Sequence, residues 1–241
     1  QAAADRATAL GMPIGLYLVT ETTLPADATN PSAPFLVSLP LPTGATGAPA
    51  NQWIYDVHVY PKNAVTELTK TRVAPPANSA EARNPDLIRW AIASTVPTLA
   101  AGDTITSFSL VDTIPAELVY VTGGTGTAAL PAGVPPTNVV ITNAAGVVQN
   151  NFVAGTDYTI VYGATDGTAN LTFTATGRTK LQAIQGGLVS FNVLTRAVDI
   201  PASGSITNTA TATINGATET VTGNTPIGQL TVFAYTTTNT T

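Results

Sequence analysis

The 241-residue chain has no cysteine, one methionine, one histidine and only 9 lysines and arginines together. Without cysteine there can be no disulfide, no Cys-ligated zinc and no thiol catalysis. A lone histidine, His58, and three lysines, Lys62, Lys70 and Lys180, leave few groups for acid–base turnover near neutrality. Charged residues make up 10% of the chain and the net charge is −5, so no basic stripe is available for a nucleic acid. No apolar run approaches the ~18 residues of a membrane span. Gln1 to Leu10 has no basic stretch followed by an apolar one and does not read as a secretion signal. His58 alone cannot build a metal centre. Asp157, Asp166 and Asp199 lack the spacing of a calcium loop, so neither metal nor cofactor is expected.

What is abundant points to extended structure. Thr, Val, Ile, Tyr and Phe suit a pleated, half-buried surface, and 20 glycines with 18 prolines punctuate it. The chain therefore reads as all-β, in three zones. Residues 1–64 carry a few short apolar bursts bounded by Pro, Gly or Asn, too few strands for a closed sandwich. They read as the back part of a domain whose first strands are missing. Residues 65–225 hold at least eight strand-like runs with turn signals between them, enough for a complete Greek-key sandwich. Residues 226–241 read as a last strand or the start of a further domain. The stretch Leu181–Gly187 is the one place where a helical turn is expected. Leu39-Pro40-Leu41-Pro42-Thr43-Gly44 and the Gly-rich 123–133 read as loops, and Trp90 as a core residue.

Near the end of the first zone stands Trp53-Ile-Tyr-Asp-Val57-His-Val59-Tyr60-Pro61-Lys62. Alternation places Trp53, Tyr55, Val57 and Val59 on a core-facing side. Pro61 cannot continue a central ladder, so Lys62 falls where the strand leaves its sheet. This run resembles the pilin motif of sortase-assembled Gram-positive pili, W-x3-V-x-V-Y-P-K, at every fixed position. Upstream, Tyr17-Leu-Val-Thr-Glu21-Thr22, with Pro25 following, resembles the pilin E-box. Val19 and Leu24 depart from that pattern where Leu and Ala are usual. Tyr17, Val19 and Glu21 share one strand face, which points the Glu21 carboxylate with an apolar set.

A second constellation lies in the middle zone. Strand parity puts Leu68 with Lys70, Phe108 and Leu110 with Asp112, and Ile206, Ala210, Ala212 and Ile214 with Asn208. A lysine, an aspartate and an asparagine are thereby aimed into one apolar interior, where they must satisfy one another or cost several kcal/mol each. Burial lowers a lysine pKa and raises that of an aspartate, so a neutral amine can sit beside a protonated carboxyl. This trio resembles the Lys–Asn–Asp/Glu arrangement that forms intramolecular isopeptide bonds in pilin and surface-adhesin domains.

The resemblance implies tandem Ig-like, CNA-type sandwich domains in the major (shaft) subunit of a covalent pilus, secreted to the cell wall. It implies that Lys62 accepts the sortase-made bond to the next identical subunit. Lys70 and Asn208 would join within one domain, with Asp112 assisting. The implied partners are identical subunits, a pilin-specific sortase, tip or base pilins and a host receptor. If the first zone's domain held an internal bond of its own, its lysine would lie before Gln1. The family's third domain, sorting signal and secretion signal are not seen in this sequence, so the resemblance implies a piece of a longer protein and, apart from one self-directed reaction, not an enzyme. The alternative is a cell-wall adhesin whose sandwich binds a host protein or glycan. It needs the buried trio but has no use for the pilin motif. A sandwich glycosidase ranks last, because no facing pair of carboxylates is visible. Lys180 is left without a role.

Overall fold

The computed structural model describes residues 11–22, 28–30, 34–42, 53–59, 64–99, 102–123, 127–163 and 167–227. Among the described residues of 11–65 lie six short strands. These are β1 (Gly15–Val19), β2 (Ala28–Asn30), β3 (Phe35–Leu39), β4 (Leu41–Pro42), β5 (Trp53–Ile54) and β6 (Ala64–Val65). They pair antiparallel in twos, β1 with β3, β2 with β6 and β4 with β5. Two expectations fail here. The Leu39–Gly44 stretch is not simply a loop, because Leu41 pairs with Ile54 and Pro42 with Trp53. Trp53 and Tyr55 do not face a core: they are 61% and 70% exposed, and Val59 is exposed too. The strand ends at Ile54 and the backbone bends at Tyr55 and Asp56, so the alternation that would bury this set has no extended chain to run along.

Ten strands follow: β7 (Leu68–Val73), β8 (Leu87–Thr95), β9 (Phe108–Thr113), β10 (Leu118–Tyr120), β11 (Asn138–Thr142), β12 (Tyr158–Tyr162), β13 (Thr168–Phe173), β14 (Leu188–Ala197), β15 (Ser205–Ile214) and β16 (Ala217–Pro226). They form two five-stranded antiparallel sheets. One runs β10-β14-β8-β7, with β11 also on β14, and the other runs β12-β13-β9-β15-β16. Trp90, Ile92, Phe108, Leu110, Leu171, Phe173, Phe191 and Ile214 fill the space between them, each at most 1% exposed. The alternation of the sequence is the cause: β9 and β15 bury every second residue and turn the others outward.

The outward residues explain the abundance of threonine. On β15 and β16, Thr209, Thr211 and Thr213 stand opposite Thr222, Thr220 and Thr218. Thr211 and Thr220 share a 3.1 Å hydroxyl hydrogen bond, and the Thr207 hydroxyl donates to Asn224 Oδ1 at 2.7 Å. Such β-branched cross-strand pairs keep a solvated sheet face in register without charge. Asn215-Gly216 closes this hairpin, both residues at positive φ as a two-residue type I′ turn requires.

The helix lies earlier than expected. Helix α1 spans Ala175–Gln182, capped by Thr174, whose hydroxyl accepts from Gly177 N at 3.2 Å. Gly177 is obligatory there, since a Cβ would fall 1.9 Å from the Asp157 carbonyl oxygen. Leu181 is the helix's buried anchor, and the remainder of Leu181–Gly187 forms the turn that leads into β14.

Candidate functional site

Lys70, Asp112 and Asn208 come from three strands, and both sheets contribute. β7, at one edge of its sheet, brings Lys70. β9 and β15, paired to one another in the opposite sheet, bring the acid and the amide. In that pairing Asp112 faces Ala210, which sets Asn208 two residues along on the same inward face. Residue exposure is 7% for Lys70 and 0% for both Asp112 and Asn208, and the Lys70 side chain itself is fully covered.

Within this buried space the Lys70 ammonium or amine donates to Asp112 Oδ1 and, at 3.3 Å, to the Thr209 carbonyl. Asn208 Nδ2 lies 3.5 Å from Asp112 Oδ2, and Asn208 Oδ1 is buried without a hydrogen-bond partner among the described residues. The indole ring of Trp90 lies under the amine, 5.5 Å from Nζ to the ring centroid, and its own N–H is tied to Thr195 Oγ1 at 3.1 Å. Burial pushes the Lys70 pKa down to about 7 from 10.5, because the charged form loses its water. An amine with a large neutral fraction near pH 7, held beside a carboxyl and an amide with an unsatisfied carbonyl oxygen, has the components of an acyl transfer.

Two participants were not visible from the strand pattern that suggested the trio. Tyr120 on β10 reaches across the sandwich, its hydroxyl 3.0 Å from Asp112 Oδ2, 3.0 Å from the Asp112 carbonyl and 3.2 Å from that of Gly167. Its shared parity with Leu118 was the only sequence signal. Gly223 on β16 is buried, and a Cβ there would meet Lys70 Cγ and Trp90 Cζ3 at 3.1 Å. No sequence pattern marked β16 as a strand at all.

The other motif residues lie apart from the trio. Tyr60, Pro61 and Lys62 of the pilin-like run fall outside the described residues, as does Pro25 of the E-box-like run. Val57 is half-buried, and His58 contacts Asp56 at 3.2 Å at the surface. Tyr17 and Glu21 are half-buried and Thr22 is exposed; the Tyr17 hydroxyl donates to the Pro13 carbonyl at 2.6 Å. Lys180 does have a partner: its amine donates to Asp157 Oδ2 and to the Asn151 carbonyl, both at 2.7 Å. That pairing, with the backbone N–H of Val153, holds the Asp157 carboxyl below its ordinary range. Among the described residues no amide side chain hydrogen-bonds this pair, and the Lys180 side chain is 32% exposed. Among the described residues no group of His, Cys, Asp and Glu is arranged to hold a metal ion, and no helix is long and apolar enough to cross a membrane.

Comparison with known proteins gives the geometry a context. Residues 2–64 match the family model of the Gram-positive pilin subunit D1, N-terminal domain. The chain is 32% identical over 200 residues to a fimbrial subunit type 2 of Actinomyces naeslundii, covering 83% of this chain and 33% of that protein. A fimbrial subunit type 1 of Actinomyces viscosus is 41% identical over 64 residues, 27% of this chain and 11% of that protein. The chain thus spans about one third of the length of the longer-matched relative. Among solved structures, the full-length major pilin SpaD of Corynebacterium diphtheriae aligns with a TM-score of 0.56 and 25% identity, over 88% of this chain and 44% of that one.

Proposed function

We propose that this chain, a homologue of fimbrial subunits with a pilin D1 match in residues 2–64, is part of the structural shaft of a covalent bacterial surface pilus. One observation carries the reading: a lysine, an acid and an asparagine from three strands meet in a sealed interior, in a chain similar to fimbrial subunits and a major pilin. On this reading the chain comprises an N-terminal pilin-domain part (1–64), a self-crosslinking sandwich (65–225) and a final strand or the start of a further domain (226–241).

The internal bond forms in one turnover. The neutral amine of Lys70 attacks Asn208 Cγ while protonated Asp112 hydrogen-bonds the amide carbonyl. The amide's two ends are nearly isosteric, so rotation about its last side-chain bond turns the unpartnered Oδ1 toward Asp112. A proton leaves Nζ for the Asp112 carboxyl, and the carboxyl's own proton goes to the departing nitrogen. The Nζ–Cγ bond forms, the Cγ–Nδ2 bond breaks and ammonia leaves, with no net change of charge. The product closes a loop of more than a hundred residues. On the chain-entropy model that stabilises the domain by about 5 kcal/mol. Unlike a disulfide, the bond is indifferent to reductant, which suits a surface protein without cysteine.

Lys62 is the proposed acceptor of the intersubunit bond, made by a separate sortase to an identical subunit. The pilin-like run around it and the D1 match support this. The test is polymerisation of the full-length parent by its sortase: covalent ladders on a denaturing gel are expected, and Lys62→Arg abolishes them. Ladders that persist in that variant overturn the assignment of Lys62.

A further inference from the structure

We infer that Tyr120 is a positioning residue that fixes the Asp112 carboxyl for amide formation, an inference that rests on the crosslink reading above. The two carboxyl oxygens have different neighbours. Oδ1 takes the Lys70 amine, whereas Oδ2 faces the Tyr120 hydroxyl at 3.0 Å and Asn208 Nδ2 at 3.5 Å. Rotation of the carboxyl would forfeit both contacts, so the phenol holds one oxygen toward the nucleophile and the other toward the amide. Asp112 and Tyr120 sit in opposite sheets, so this hold depends on the closed sandwich. The reaction is thereby confined to the folded domain.

A purely structural tyrosine would need only the two backbone carbonyls its hydroxyl also meets, those of Asp112 and Gly167. The contact to Oδ2 is the one that bears on chemistry. The ring rests edge-on against Tyr162, with centroids 5.1 Å apart, and phenylalanine would keep that packing. Asp112 on β9 meets the phenol hydroxyl and Tyr162 on β12 meets its ring, while Lys70 on β7 and Asn208 on β15 face the same Asp112 carboxyl. A phenol donating to the carboxylate favours the ionised form, and the reaction ends when Asp112 loses its proton. Removing the hydroxyl therefore has two separable effects, a looser carboxyl and a carboxyl that keeps its proton to higher pH.

The test follows newly synthesised chains by intact mass in a cell-free system over a range of pH. Tyr120→Phe is expected to lose ammonia about tenfold more slowly at pH 7 than the parent, as misplacing an acid group costs. Its high-pH limb is expected to move up, because the carboxylate loses a donor. 3-Fluorotyrosine at 120, a stronger donor, should move that limb down. Asn208→Ala with and without Tyr120→Phe, neither able to crosslink, measures the stability lost with the hydroxyl's three contacts apart from any effect on rate. A parent that never loses ammonia overturns the crosslink itself. A parent that crosslinks alongside a Tyr120→Phe variant of equal rate and equal pH limb overturns only the positioning role. Slower formation with neither variant moving the limb assigns Tyr120 to packing alone and overturns it too.

Discussion

Gly223 stands opposite Asn208 in the β15–β16 ladder, and the space its side chain would occupy is taken by Lys70 and Trp90. The amide and the lysine can meet because the strand beyond the amide has no Cβ at that position. Gly223→Ala is therefore expected to crowd Lys70 Cγ and Trp90 Cζ3, each 3.1 Å from the new carbon, and to cost about 1–3 kcal/mol. Thermal unfolding of this variant in an Asn208→Ala background measures the cost without the crosslink, and intact mass in the parent background reports slower loss of ammonia.

The parent chain is expected to weigh one ammonia less than its sequence mass. Asp112→Ala and Asn208→Ala should each restore the full mass. Losing about 5 kcal/mol of loop-closure stabilisation should lower Tm by roughly 10–20 °C for a domain of this size. A parent at full sequence mass, with a Tm equal to that of Asn208→Ala, would sink the internal bond.

Lys70 gives the uncrosslinked protein a pH dependence of defined sign. Its folded pKa, about 7, lies below the unfolded 10.5, so between these values the unfolded chain holds more protons. Stability of Asn208→Ala should accordingly rise with pH from about 7 toward 10, by at most about 1.4 kcal/mol per unit. The parent, with its amine converted to an amide, should lack this rise. Urea midpoints for both proteins across that range decide the point.

Lys180→Met should leave the fully buried Asp157 carboxyl without its cation. The expected result is faster hydrogen exchange in α1 and in the 149–157 loop, together with a lower Tm. In the parent the depressed Asp157 pKa means that this stabilisation is present above the unfolded value of 3.8 and is lost as pH falls below it. Lys70–Asn208 amide formation should be unchanged, because this pair lies on a different part of the sandwich.

Much of the fold was legible because burial and alternation coincide. Runs such as Phe108–Thr113 and Ser205–Ile214 are wholly extended, with every second side chain inside, and the same alternation marked Lys70, Asp112 and Asn208. The alternation misled at Trp53–Val59, where the backbone bends after two paired residues and Trp53 and Tyr55 turn outward. β16 was missed because Ala217–Pro226 carries Thr, Glu, Gly and Asn in place of apolar residues, its place in the sheet being secured by the ladder to β15. The α1 start was missed because Thr174 and Gly177 act through a cap and a close backbone approach, neither of which leaves a periodic signal.

By itself the sequence determined the chemistry available: no thiol, three amines, a threonine-rich β-forming chain, and a lysine, an acid and an amide each on an inward parity. Parity says which way a side chain points, a local property of extended backbone. It says nothing of which strands become neighbours. The tertiary structure alone decided that β7 lies across from β9 and β15, that Tyr120 reaches Asp112 from the opposite sheet, and that Gly223 leaves room for Lys70. It also separated the two buried aspartate–lysine pairs, one beside an amide in a sealed core and one at the rim with a partly exposed lysine. Long-range pairing and exclusion of water made that difference, and both arise only when the two sheets close.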